Sequence, residues 1–494
     1  MSEFESARSV STRLMAIVVV VIVAGAGMTF IFLGGLPGGG PTTTPTGSTS
    51  TPTSTTGPGG PITLTVLTRH DVAIHNVYES AFLATAYAQN NQITDIDWKT
   101  PDSSFWDDLI DMGQVDVCWG GGPTIFDQLM IDGRLEPLDS PLMETAAARV
   151  PDEIAGADMK RNNSQDELMW IAAAISSFGF TVDHNFLDTH SLPTPSNWTD
   201  LAQPIWGSLL PAIPTIGMGN APDTTSNTRI YEIMTQSLGW NEGWINMARM
   251  AGSSNIYGGS VETQLSVRTG EVGVAMTIDF YGYQNERLNP DNQYILPEDQ
   301  TIINGDPIAI AANAPHKAAA EHFIDWVLSV PGQLLWLDNS ILRMPVLEET
   351  FWDPGASGAQ DLYAAFNRTT STTGIDFNDT LSLEINQAFI QYWQSVFTDA
   401  QTELAQCWAE IVTKYDGGII NEAELDYYAG LMGAPVSALD YNTAVLEEFT
   451  LQYCRSINHD MTYDATYASN MRIRWTNAAK AQYISVYNTV HALT

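Results

Sequence analysis

The pattern of apolar and polar positions changes character several times along the chain. Residues 14–36 (LMAIVVVVIVAGAGMTFIFLGGL) form an uncharged apolar run of bilayer-spanning length. Arg8 and Arg13 precede it and no positive residue follows closely, which predicts 1–13 as a cytoplasmic N-terminus and an extracellular body. A cleaved secretory signal is the rival reading, because Ala24, Gly25 and Ala26 are small. The run exceeds the usual signal core and carries no cysteine for lipidation, so a single-pass anchor in the cell membrane is favoured. Residues 37–61 hold no apolar side chain larger than Pro, the composition of an extended Ser/Thr/Pro-rich stalk open to O-glycosylation.

Beyond the stalk the texture is α/β. Ile62–Thr68 (ITLTVLT) is predicted as a β-branched strand, His75–Ala88 as a helix, and Ile93–Trp98 as an alternating second strand. Phe105–Met112 has helical spacing, and Val115–Trp119 is a short buried strand ending in Gly120-Gly121-Gly122-Pro123. Met169–Val182 (MWIAAAISSFGFTV) is expected to cross into a second unit, and similar α/β texture runs through Gly273–Asp279 and Ile308–Ala312 before a helix at Ala318–Leu328. Strands alternating with helices imply a largely parallel sheet with helices on its faces. From about Thr370 the pattern is helical. Ile385, Phe389, Tyr392, Val396, Ala400, Leu404, Cys407 and Ile411 predict one long amphipathic helix. Asn421 with Glu424 marks a helix start after the Asp416-Gly417-Gly418 turn, and 441–457 and 465–490 are predicted as further helices.

Composition narrows the functional classes. The 494 residues carry 20 Lys+Arg against 57 Asp+Glu, a net charge of −37, which repels phosphate backbones and argues against nucleic-acid binding. Three cysteines are too few for a disulfide framework. Cys407 and Cys454, on adjacent predicted helices, are the expected bridge, and Cys118 is expected to be an inert core thiol. Asn162, Asn197, Asn367 and Asn378 each open an Asn-x-Ser/Thr pattern, consistent with a glycosylated surface protein. No nucleophile elbow, zinc-protease helix, phosphate loop or Cys-x-x-Cys pair is present, so neither an enzyme nor a cofactor is expected.

The informative positions are loops at the C-terminal ends of strands, where open α/β sheets bind ligands. Arg69 and His70 follow the first strand, and Gly120, Gly121 and Gly122 follow the third. Thr224, Thr225 and Ser226 stand before a helix predicted at 228–237, and Asp279, Tyr281 and Tyr283 end another strand. Each has a plainer use: a surface ion pair, a tight turn, an N-cap, a wall aromatic. Together, four polar loops over two α/β units favour a cleft between lobes.

The order of several segments resembles a known family. These are Gly133-Arg134-Leu135-Glu136-Pro137-Leu138, Pro195-Ser196-Asn197-Trp198-Thr199-Asp200-Leu201, Gly270-Glu271-Val272 and Asp306-Pro307-Ile308-Ala309-Ile310. Ala314 to Trp326 and Gly332-Gln333 add to the pattern, which runs from about Ile62 to Val346. It resembles the periplasmic-type solute-binding proteins of ABC importers, in the branch with ferric-ion, polyamine and phosphorylated-sugar binders. That resemblance implies a two-lobed α/β fold, periplasmic-binding-protein-like (type II), closing on a solute like a hinged trap. Lobe one would combine 62–170 with 306–360, and lobe two would be 171–305. The helical extension 361–494 exceeds what the family usually carries; its stripes favour structural cover packed on lobe one over a platform for a membrane partner.

Ferric binders of that family use a His, an acid and paired tyrosines, which His70, Tyr281 and Tyr283 would supply as a metal site. Here Gly121 and Gly122 stand where the acid is expected, and Gly282 separates the tyrosines. Glycine amides, Thr225, Ser226 and Arg69 instead suit phosphate, sulfate or phosphonate, with Asp279 receiving hydroxyls. The expectation is a monomeric, membrane-anchored receptor that passes a small anionic or polar solute to an ABC permease. A ferric receptor and a surface sensor or adhesion module are the alternatives.

Overall fold

The computed structural model describes residues 60–101 and 105–494. The cytoplasmic segment 1–13, the anchor 14–36 and nearly all of the stalk 37–61 lie outside the described residues. No helix among the described residues is long and apolar enough to cross a membrane.

One continuous strand path organises the molecule. Its order is Ser254–Tyr257, Ile216–Gly219, Val274–Ile278, Leu168–Asp183, Ile303–Ala311, Val117–Trp119, Ile62–Thr68, Ile93–Lys99. The outer strands on each side pair parallel, as the alternating pattern implied. The two central strands pair antiparallel with each other and with their neighbours, so the sheet is mixed. Leu168–Asp183 is the crossing element. Its first half pairs with Ile303–Ile308 and its second half, Phe178 to Val182, with Val274–Ile278. A run with no charge between Met169 and Val182 suits a strand buried on both faces, which it is from end to end. Two half-sheets thus share two strands near Ser176–Phe178 and Ile303–Gly305, the arrangement of a two-lobed binding-protein fold.

The extension corrects three expectations. The long helix is interrupted: Asp379–Trp393 passes through a wider π turn at Gln394–Thr398 into Gln401–Asp416. The start of 441–457 is not helical either. Ser437–Leu439 pairs with Leu446–Glu448, because Asp440 takes the amides of Asn442 and Thr443 in a tight turn, and the helix begins at Leu451. Third, the extension divides its packing: Leu362, Ala365 and Phe366 join the core built on the first strand, while the stripe from Ile385 onward packs on the other half-sheet. Its buried stripe merges with Trp198, Trp206, Trp244 and Met247 in one core. Trp408 packs against Gly207 and Gly252, where a Cβ would collide with it, and donates its indole N–H to Ser253 at 2.8 Å. The Asn421–Glu424 capping box forms as expected.

The expected Cys407–Cys454 bridge is absent: both thiols are free and buried, as is Cys118. Their helices pack on different partners: Cys454 Sγ lies 3.8 Å from the Ile385 carbonyl, on a helix packed against Asp379–Trp393, and Cys407 faces Tyr487 on the C-terminal helix. Burial pushes the Cys407 thiol up to about 12 and raises the other two as well. Of the four acceptor-pattern asparagines, Asn162, Asn367 and Asn378 are exposed. Asn197 and Asn378 already use their side chains as N-caps.

Candidate functional site

A cavity of about 180 Å³ lies between the half-sheets. That is below the ~300–1,000 Å³ of sites for drug-sized ligands. Three helices present uncapped N-termini to it. Pro123–Ile131, Thr225–Ser237 and Ser260–Arg268 have no side-chain cap, and Thr124, Ile125, Thr225, Ser226 and Ser260 from their first turns line the cavity. Backbone N–H groups at such ends lack intrahelical partners and favour an anion. The helix Val72–Leu83 differs, because Asp71 accepts from the amides of Ala73 and Ile74.

The loop after the first strand brings Arg69 and His70 to the cavity. Among the described residues Arg69 has no carboxylate partner, whereas the lining arginines Arg229 and Arg343 are both paired. His70 lies with its Nε2 2.8 Å from Asp306 Oδ2 and 3.0 Å from Arg343 Nη1. Arg343 in turn stands 3.1 Å from Asp306, donates to Ser176 Oγ at 3.0 Å, and is flanked by the rings of Phe280 and Trp336. Burial lowers the His70 pKa against the pull of Asp306, which disfavours its protonated form. Burial alone would raise Asp306, but Arg343 and His70 outweigh it and hold the carboxyl low.

The glycines do two different things. Gly120, at φ +77°, lies outside the lining; a Cβ there would collide with the His70 imidazole. Its role in the structure is to make room for His70. Gly121 and Gly122, at φ +113° and +89°, line the cavity and lead into the Pro123–Ile131 helix. Thr225, Ser226 and Tyr281 also line it, the helix starting at Thr225 rather than at 228.

Three further predicted residues are turned away. The Thr224 hydroxyl donates to the Asn220 carbonyl at 2.9 Å. Tyr283 is buried with its ring 5.3 Å from that of Tyr294. Asp279, expected to receive solute hydroxyls, instead accepts from the Ser177 amide at 2.8 Å, the Ser177 hydroxyl at 3.2 Å and the Phe280 amide at 2.8 Å. Burial pushes its carboxyl up to about 7. The ferric set of His70, Tyr281 and Tyr283 is therefore not assembled: His70 is committed to Asp306 and Tyr283 lies outside the lining. The described residues contain no cluster of three or more His, Cys, Asp or Glu able to hold a metal.

Sequence reasoning missed Asp306, Arg343, Arg229 and Glu232. Arg229 is buried; its Nη2 donates across the cavity to Thr124 Oγ at 2.6 Å, and its Nη1 lies 3.2 Å from Glu232 and 3.4 Å from Asp379. Burial pushes Glu232 up to about 6 in spite of that arginine. A signal existed in each case: a lone charge in a buried apolar stretch at Arg343, a charge opening a β-strand run at Asp306, and polar helix residues with no exposed face at Arg229 and Glu232.

Comparison with known proteins agrees with this architecture. The fold matches the periplasmic binding protein P5PA with a TM-score of 0.53 at 16% identity, over 68% of this chain and 99% of that one. It matches the periplasmic binding protein AfuA from Actinobacillus pleuropneumoniae, solved with fructose-6-phosphate bound, at 0.54 and 16%, over 69% and 99%. In sequence the chain is 27% identical over 196 residues to the phosphoglycerate transport regulatory protein PgtC of Salmonella typhimurium. That match covers 39% of this chain and 47% of PgtC, so it spans about half the length of that relative. The family model for bacterial extracellular solute-binding proteins matches residues 115–369, more than half of the chain, and the protein belongs to that family.

Proposed function

We propose that the protein captures a small anionic organic solute, of the phosphorylated or phosphonate class, and delivers it to an ABC permease. The observation that carries this reading is the meeting, on one small cavity, of three uncapped helix N-termini and Arg69, which has no carboxylate partner among the described residues. In a chain of net charge −37, an arginine without a carboxylate partner at such a place favours an anion as its counterpart. The phosphoglycerate transport relative and the fructose-6-phosphate complex of a structural neighbour point to the same solute chemistry. Lobes of 62–170 with 306–360 and of 171–305 would close over it as a monomer, held at the cell surface by the 14–36 anchor.

A thermal-shift and calorimetric series with fructose-6-phosphate, 3-phosphoglycerate, a phosphonate, ferric citrate and spermidine tests the reading, since a bound ligand stabilises the native state. A phosphorylated compound is expected to bind, and Arg69→Ala to weaken it roughly ten-fold or more while leaving the melting temperature of the free protein unchanged. Preference for spermidine or ferric citrate would sink the proposal.

A further inference from the structure

The family match ends at residue 369, yet one wall of the cavity comes from beyond it. Asn386, Gln387 and Ile390 of the Asp379–Trp393 helix line the cavity together with residues of both half-sheets. The opposite face of that helix is fixed. Ile385, Ala388, Phe389, Tyr392 and Trp393 are buried in the core shared with lobe two. At its start, Gln236 donates to the Asn378 carbonyl and to Ser382 Oγ, each at 3.3 Å, and accepts from the Asn378 amide at 2.8 Å. Midway, Asn458 Oδ1 accepts from the Ala388 amide at 3.0 Å and its Nδ2 donates to the Leu383 carbonyl at 3.3 Å. The helix also packs against Pro123–Ile131 on the other half, so it stands where the two halves meet.

Within this rigid frame, Asn386 and Gln387 are half-buried and make no side-chain hydrogen bond to the described protein. Two carboxamides side by side offer four donors and two carbonyl acceptors toward the cavity. We infer that the C-terminal extension is part of the solute site, and that Asn386 and Gln387 select the uncharged, hydroxyl-bearing portion of the solute. This rests on the reading of an anionic solute held by Arg69 and the helix N-termini, and it adds the recognition of the remainder of the molecule. Neutral amides suit that task because they pair with hydroxyls and add no charge to compete with the anion.

The test compares inorganic phosphate, fructose-6-phosphate, 3-phosphoglycerate, maltose and spermidine on the full-length protein, the double variant Asn386→Ala/Gln387→Ala, and Arg69→Ala. The double variant is expected to lose roughly ten-fold or more in affinity for the phosphorylated hydroxy compound, with inorganic phosphate unchanged. Arg69→Ala should lose both. Unchanged affinity of the double variant for whichever compound binds the wild type tightest overturns the inference. If that compound is maltose or spermidine and Arg69→Ala binds it normally, the anion reading fails alone, and the double variant still decides whether the extension contacts the solute. A panel in which nothing binds the wild type overturns both. An unchanged melting temperature of the ligand-free double variant separates loss of contact from loss of fold.

Discussion

Asp306 and Asp279 are two carboxylates of similar burial, near where the two half-sheets meet, that are displaced in opposite directions. Asp306 lies in the half built on the first strand, with Arg343 at 3.1 Å and the His70 ring at 2.8 Å, and its pKa is held below the usual range. Asp279 opens a helix in the other half and accepts hydrogen bonds only from Ser177 and Phe280; Arg343 acts on it without forming an ion pair, and burial outweighs these effects and carries it up to about 7. Burial penalises both ions; a guanidinium in contact decides which one ionises. The consequences for stability have opposite signs. Asp306 stabilises the fold above its unfolded pKa, and that contribution is lost as pH falls through the native value. Proton binding at Asp279 stabilises the fold at low pH, and that contribution is lost as pH rises toward about 7.

The largest expected effect comes from removing the charged member. Asp306→Ala leaves Arg343 buried without its counterion, and chemical denaturation at neutral pH should register a loss of about 3–5 kcal/mol. A loss below about 1 kcal/mol would mean that water reaches Arg343 and that the contrast is one of solvation alone. Gly120→Ala attacks the same cluster indirectly. The new methyl would displace the His70 imidazole and occupy a backbone conformation of φ +77°, at a cost of about 1–3 kcal/mol. The equivalent change at Gly122, where nothing lies within 4 Å of a Cβ, should cost only the backbone strain of φ +89°. Equal losses at the two glycines would remove His70 from the explanation.

How much of this was legible beforehand follows from the distance over which each feature is decided. The Ile62–Thr68 strand with Arg69 and His70 at its end is set by a local pattern, and both residues reach the cavity. The charges that hold His70 come from Asp306 and Arg343, 236 and 273 residues away, and no local pattern connects them. The stripe from Ile385 to Ile411 signalled burial correctly, but the surface it covers depended on where Gly207 and Gly252 leave room for Trp408. Likewise, Cys407 and Cys454 lie on helices close in sequence, but one helix packs against the C-terminal helix and the other against Asp379–Trp393, which keeps the thiols apart. Asp279 was correctly placed at a strand end. Its side chain turns inward because the Ser177 amide on the crossing strand lies within hydrogen-bond reach, a partner 102 residues distant in sequence.

Asp279→Asn gives the smallest change at any one pH and separates the two carboxylates most sharply. Near pH 5 the native carboxyl is largely protonated, so asparagine is nearly its isostere. One amide-to-amide conflict is created, because Asp279 accepts from both Ser177 and Phe280, and a loss of about 1 kcal/mol is expected. As pH rises toward about 7 the wild type must release that proton or hold it against the gradient, and its stability relative to the variant should decline. The limiting slope for one group is about 1.4 kcal/mol per pH unit. Urea melts of both proteins at several values from pH 5 to pH 8 would measure it as a difference, in which the shared effects of the other acidic groups cancel. Parallel curves would mean that Asp279 is ionised throughout that range, and that three neutral hydrogen bonds replace a cation as well as Arg343 serves Asp306.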